Sequence, residues 1–351
     1  MRLRNLVSWL VMSFCATLVA ACSTDDATSA VVGAAAAATS PPETSTAGLN
    51  VRHGFIWDEA KGLTVIAFPK NATSMDVTAM NERGEIVGYV TEGEGTERYR
   101  AFIWSAADGL RKLGSLAGPD GISIALSIDD NAKVRGVSEG PSTVYNGPMG
   151  IYFPDGFEWT ASSGMSRVTG ADATDAFSSV NAGGRLILPP GTDCLEVHGA
   201  SKNGQAIGYA GTWVNVVSRL SRDGPHCALK SALLWRIDGT PVVIAECGPK
   251  PWCETTLADV NNRGTVVGAS ASGAFRWTSA GGFEQIPIPE TGVYFINEAG
   301  DAVGMVGTGG TGKPIVWKAS GEIKTIRLPA GATYGYPVAI NEKGEVAGSF
   351  Q

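Results

Sequence analysis

The chain has 351 residues and a formal charge of −7. Loss of an N-terminal leader carrying Arg2 and Arg4 moves that charge to −9, and no Lys/Arg cluster remains. Nucleic acid is therefore excluded as a partner on electrostatic grounds.

Residues 1–21 read as a targeting segment. Arg2 and Arg4 give the positive start, Leu6 to Leu18 the apolar stretch, and Val19-Ala20-Ala21-Cys22 matches the bacterial lipobox. The expectation is a lipoprotein signal peptide cut after Ala21, with Cys22 acylated and the membrane a partner through that anchor. The alternatives are an ordinary signal peptide cut at an A-x-A site or a short membrane anchor. Ser23 stands where Asp would retain the protein at the inner membrane, which points to the outer membrane. Residues 22–50 are small, polar and Pro-interrupted, the composition of a flexible tether.

From residue 51 to 351 two short patterns alternate. One is Asn-x-x-Gly-x-apolar-x-Gly, clear in MNERGEIVG (80–88), VNNRGTVVG (260–268), INEAGDAVG (296–304) and INEKGEVAG (340–348). Worn copies are IDDNAKVRG (128–136), VNAGGRLIL (180–188) and ASKNGQAIG (200–208). The other ends at Trp57, Trp104, Trp159, Trp235, Trp277 and Trp317. Alternation of this kind marks a repeated supersecondary unit. In residues 75–116 apolar runs too short for helices are split by turn residues, so four strands are predicted at 77–80, 85–89, 100–104 and 110–116. The Asn-x-x-Gly step is expected to be a hairpin turn, because Asn tolerates left-handed backbone angles and Gly adopts positive φ at no steric cost.

Four-stranded units at this spacing predict an all-β fold, a β-propeller. The chain enters the repeat at a third strand (GFIW, 54–57) and leaves it after a second (EVAGSF, 345–350). Two half-units that complete each other predict termini sharing one blade, which removes a free edge. Six Trp hairpins predict six blades, and the extra hairpin at 180–188 leaves seven as the alternative.

Outside the leader and Cys22 there are four cysteines, an even set that reads as disulfides in an exported chain. Cys247 and Cys253 flank a turn-rich GPKPW loop, leaving Cys194 with Cys227; a metal site at His226-Cys227 is the weaker alternative. No metal site and no cofactor are predicted. GTGGTGKP (307–314) resembles a phosphate loop but puts Pro314 where the Mg²⁺ hydroxyl belongs, so a hairpin loop is expected.

RAFIW (100–104), HGFIW (53–57) and GAFRW (273–277), alternating with INEAGDAVG and INEKGEVAG, resemble the bacterial extracellular HAF-repeat family over about residues 53–350. The resemblance implies export and a propeller-like repeat, and no reaction. Arg100 stands where that family's name-giving His often does.

In a four-strand meander the one-to-two and three-to-four turns share one face, and the longer connections share the other. The connections at 138–156, 209–227, 246–254 and 331–337 carry Tyr145, Tyr152, Trp213, Trp252, Tyr334 and Tyr336. Aromatics on long connections suit stacking on sugars or anchoring a protein partner. The sequence therefore predicts a binding module for polysaccharide or an envelope protein. The competing classes are a lyase or glycoside hydrolase on a propeller scaffold and a purely structural repeat.

Overall fold

The computed structural model describes residues 51–93, 98–118, 121–140, 144–145, 151–153, 155–168, 186–216, 224–248, 253–307 and 310–351. Two compact units divide the chain. One comprises residues 1–50 with Tyr145–Ile151, and of it only Tyr145 and Ile151 are described. The other, Val51–Val144 with Tyr152–Gln351, holds the propeller.

Among the described residues that unit contains six four-stranded antiparallel sheets, the six-bladed reading. Blade 1 runs through Ala72–Met80, Ile86–Glu92, Arg98–Ser105 and Gly109–Lys112. Blade 2 follows with Ser123–Ile128, Val134–Ser138, Asp155–Thr160 and Gly164–Arg167. Blade 3 has the longest strands, Cys194–Ala200, Ala206–Val216, Gly224–Trp235 and Pro241–Glu246. Blade 4 is Thr256–Val260, Val266–Ser270, Gly273–Thr278 and Gly282–Gln285, and blade 5 Thr291–Ile296, Ala302–Val306, Lys313–Trp317 and Ile323–Thr325. Blade 6 is shared by the two ends: His53–Asp58 pairs with Val346–Phe350, matching Phe55 to Gly348 and Trp57 to Val346. The facing edges that the two halves would expose alone are thereby paired, leaving Gly62–Val65 and Gly335–Ile340 as the outer strands of the blade. Of the worn motif at 180–188, residues 180–185 lie outside the described residues. Leu186 and Leu188 form no strand and pack on Ala206, Leu233 and Trp235 of blade 3.

The Trp motif is a packing device. All six of its tryptophans are buried, and each blade interface repeats one arrangement. Trp104 and Phe102 of blade 1 meet Ile66, which follows the last strand of blade 6, and Trp159 and Phe157 of blade 2 meet Leu113 in the same way. Stacking the blades buries faces that a lone four-stranded sheet would leave wet, at about 1.5–3 kcal/mol for each large side chain. Leu113 stands three residues inside the predicted fourth strand of blade 1, which ends at Lys112 instead of residue 116.

The Asn turns differ in mechanism from the expectation. Their Gly residues do take positive φ, as at Gly84 (81°), but the Asn residues do not. Asn81 instead caps its own turn: its side-chain oxygen accepts the N–H of Arg83 and of Glu85 at 3.1 and 3.0 Å. Its amide nitrogen then donates to the Asp129 carbonyl of the next blade at 2.9 Å. Asn261 reaches Asn297, and Asn297 reaches Asn341, in the same way. One side chain thus shapes a hairpin and ties two blades.

The closing Gly of the motif has a separate cause. The first strand of each blade carries a β-bulge, at Val77/Ala79 in blade 1 and Pro337/Ala339 in blade 6. The bulge presses a carbonyl onto the facing strand. A Cβ at Gly88 would lie 2.0 Å from the Asp76 oxygen, and one at Gly304 would lie 1.8 Å from the Gly292 oxygen. No side chain fits there.

Candidate functional site

Among the described residues, the connection at 331–337 reaches the first strand of blade 6 at the end opposite its Asn turn. Cys194 and Cys227 are disulfide-bonded with Cα atoms 5.9 Å apart, and Cys247 pairs with Cys253 at 4.6 Å. The first bridge ties the inner strand of blade 3 to its long hairpin. Trp213, placed on a connection by the sequence, sits within strand Ala206–Val216 opposite Cys227 and is 55% exposed. The hairpin continues past the sheet because Gly224–Trp235 is equally long, a feature that turn signals alone do not reveal. Tyr145 and Tyr152 fall on short strands, Val144–Tyr145 and Ile151–Phe153, and their side chains lie outside the described residues. Trp252 and Cys22 lie outside them as well.

Tyr334 and Tyr336 lead to a polar cluster at the loop-face end of the inner strands. Tyr336 and Asp76 each stand five residues before a turn Asn, so they occupy one register position in blades 6 and 1. The Tyr336 hydroxyl donates to Asp76 Oδ1 at 2.9 Å. Arg52, just ahead of the first strand, places a terminal guanidinium nitrogen 3.1 Å from Asp76 Oδ2. The Asp76 side chain is 6% exposed, whereas that of Arg52 is 30% exposed. Buried Tyr89 faces Asp76 across the strand pair and meets Tyr99 edge-on at 5.2 Å. Half-buried Tyr334 lies beside Tyr336, ring centres 5.8 Å apart.

Electrostatics fixes the protonation of these phenols. Burial, reinforced by the Asp76 carboxylate, pushes Tyr89 well above the ordinary tyrosine range and Tyr336 above it too. Both remain donors at any physiological pH. Burial works against the Arg52 guanidinium, but Asp76 and the surrounding phenols together hold its pKa above the usual arginine value. Arg52 Nε is enclosed without a hydrogen-bond partner among the described residues, and Asp76 Oδ2 holds only its ion pair. The cluster offers a partly exposed cation and an aromatic rim, with its buried phenols turned to Asp76. Neither of the two buried phenols is poised to lose a proton near neutral pH.

Sequence reasoning selected Tyr334 and Tyr336 and missed Arg52, Asp76, Tyr89 and Tyr99. Alignment of the repeats carries the missing signal, for the register position of Asp76 holds Ile124, Thr256 and Gly292 in blades 2, 4 and 5. Among the described residues no three His, Cys, Asp or Glu side chains group as a metal ion would need. His53 stacks near Phe68 and Phe350 at 5.2 and 5.3 Å, and His198 packs edge-on to Tyr209 at 4.8 Å. No described helix is long and apolar enough to cross a membrane.

No family model matches the chain, and no curated protein matches it. Similar solved structures include virginiamycin B lyase from Staphylococcus aureus, at 10% identity and TM-score 0.37, covering 82% of this chain and 97% of that one. Another is a gluconolactonase from Xanthomonas campestris, at 11% identity and TM-score 0.34, covering 87% and 98%. At these values no chemistry carries across to this chain.

Proposed function

We propose that this chain is an exported, lipid-anchored β-propeller that captures an envelope polysaccharide on its loop face. Acylated Cys22 anchors it to the bacterial outer membrane, and residues 22–50 tether the propeller. The HAF-repeat resemblance and the two disulfides, which belong to oxidising compartments, support export.

The observation that carries the binding reading is the cluster of Arg52, Asp76, Tyr334 and Tyr336. A sugar ring needs a flat apolar surface and several hydrogen-bonding groups of fixed polarity. Tyr334 supplies the surface, and the guanidinium of Arg52 supplies donors beside it. Catalysis by a lyase or hydrolase needs groups that exchange protons with the substrate, and the raised phenols are held away from that range.

The test is a glycan array with the body, residues 50–351, and with Tyr334→Ala and Trp213→Ala. Binding of envelope polysaccharide by the parent, weakened in the variants at an unchanged melting temperature, is the expected outcome. Equal binding by all three removes the loop face from recognition. Capture of an envelope protein alone replaces the polysaccharide reading. For the anchor, Cys22→Ala is expected to move the protein from the membrane fraction to the soluble one; unchanged detergent-dependent fractionation refutes acylation.

A further inference from the structure

A second groove opens on the Asn-turn face, between blades 3 and 4. Its volume is about 550 Å³, within the roughly 300–1,000 Å³ of small-molecule sites. Leu234 and Val242 give it an apolar side, and Arg236 and Arg263 stand at its rim.

The two arginines are unusual within the repeat. Four residues after the turn Asn, blades 1, 5 and 6 carry a carboxylate: Glu85, Asp301 and Glu345. Two of those carboxylates engage nearby cations, Arg83 with Glu85 and Lys318 with Asp301, each at 2.7 Å. In blades 3 and 4 the same position holds Gln205 and Thr265. Arg263 has the register position of Arg83 but no acid beside it, and neither Arg236 nor Arg263 forms an ion pair with any described residue. The carboxylate in the groove, Asp238, accepts the hydroxyl and backbone N–H of Thr240, and the nearby Arg236 charge also helps to hold its carboxyl below the usual range, without a direct ion pair. Two guanidiniums without an ion pair, in a chain of formal charge −7, are a local feature, not a general basic surface.

The groove is also lined by a hydrogen-bonded set of amides. The Asn203 N–H donates to Asn262 Oδ1 at 2.8 Å, while the Asn203 and Gln205 side-chain nitrogens donate to the Asn262 carbonyl at 2.9 and 2.8 Å. The Asn262 side-chain nitrogen has no partner among the described residues and is left as a donor. Side-chain amides both give and accept hydrogen bonds, as sugar hydroxyls do. A guanidinium fork matches a carboxylate. Ile237, 60% exposed at the rim, adds apolar surface for a C–H face.

We propose that this groove binds a carboxylated sugar, with Arg236 and Arg263 taking the carboxylate and the Asn203–Asn262–Gln205 amides taking hydroxyls. The site is distinct from the loop-face cluster and does not depend on it.

Calorimetric titration of the full chain with glucuronate, glucose and inorganic phosphate tests this. Glucuronate is expected to bind saturably, and glucose and phosphate at least about tenfold more weakly. Arg236→Gln and Arg263→Gln are each expected to weaken glucuronate by about tenfold at an unchanged melting temperature, because both side chains are exposed. Tyr334→Ala, on the opposite face, is expected to leave it unaltered. Absence of saturable glucuronate binding, equal binding of glucose, phosphate as tight as glucuronate, or indifference to both arginine variants each overturns the assignment. A loss on Tyr334→Ala instead places the sugar acid at the loop-face cluster and overturns the groove.

Discussion

The Tyr336 phenol donates to the Asp76 carboxylate at 2.9 Å across a separation of 260 residues. The bond joins the blade that contains both chain ends to the blade that follows it. Beside it, Val77 N–H donates to Ser349 Oγ at 3.0 Å, and on the opposite face Glu342 N–H donates to Glu82 at 2.8 Å. The closing seam is therefore bonded at both faces, and its loop-face bond belongs to the candidate binding cluster.

Tyr336→Phe keeps the ring and removes the hydroxyl that donates to Asp76 and also bonds Ser349. Asp76 is buried, and a hydrogen bond to a charged group is worth about 1.5–3 kcal/mol, so a loss of that size is expected in denaturant unfolding. An unchanged midpoint would mean that Arg52 and Tyr89 suffice to satisfy Asp76.

Gly88→Ala inserts a methyl group where the Asp76 carbonyl already sits, 2.0 Å from the new carbon. The cost is expected to be at least about 1–3 kcal/mol, because backbone must move. Gly248→Ala is the matched control, since nothing lies within 4 Å of its Cβ and its φ is not positive. Comparable thermal midpoints for the two variants would contradict the bulge explanation of the repeated Gly.

Asp259 provides a pH test. Burial pushes its carboxyl up to about 7, against the pull of the Val260 and Ile296 N–H groups that bond it, and nearby Glu298 adds to the rise. Below about pH 4 the group is protonated folded or unfolded and contributes no slope. Between about 4 and 7 the unfolded chain releases the proton while the folded one keeps it, so stability falls as pH rises. Above about 7 the loss is complete. Thermal unfolding at pH 4, 5.5 and 8 is expected to show the parent losing ground to Asp259→Ala by at most about 4 kcal/mol, an upper bound because the residue keeps some exposure. A difference between the two proteins that is flat over this range would show that Asp259 ionises normally.

Much of the architecture is local and was legible for that reason. The Trp hairpins, the Asn turns and the two complementary half-units depend on side-chain type at fixed spacing, and they yield six blades with shared termini. The disulfide pairing followed from the count of cysteines and one short loop. The site was legible only in part. Tyr334 and Tyr336 stand out as aromatics after a Gly-rich connection, but Arg52 and Asp76, just after the tether and just before a predicted strand, carry no signal until blade 6 brings Tyr336 to them.

By itself the sequence determined the repeat, its period and the side chains that each blade must bury, because strand alternation and turn chemistry act over a few residues. Only the tertiary structure decided what meets across the ring. The Asn side chains bond the next blade, the bulge carbonyls explain the closing glycines, and Arg236 and Arg263 flank a groove shared by two blades. Each of these joins residues on neighbouring strands or blades, and that proximity exists only after closure has fixed how the blades stack.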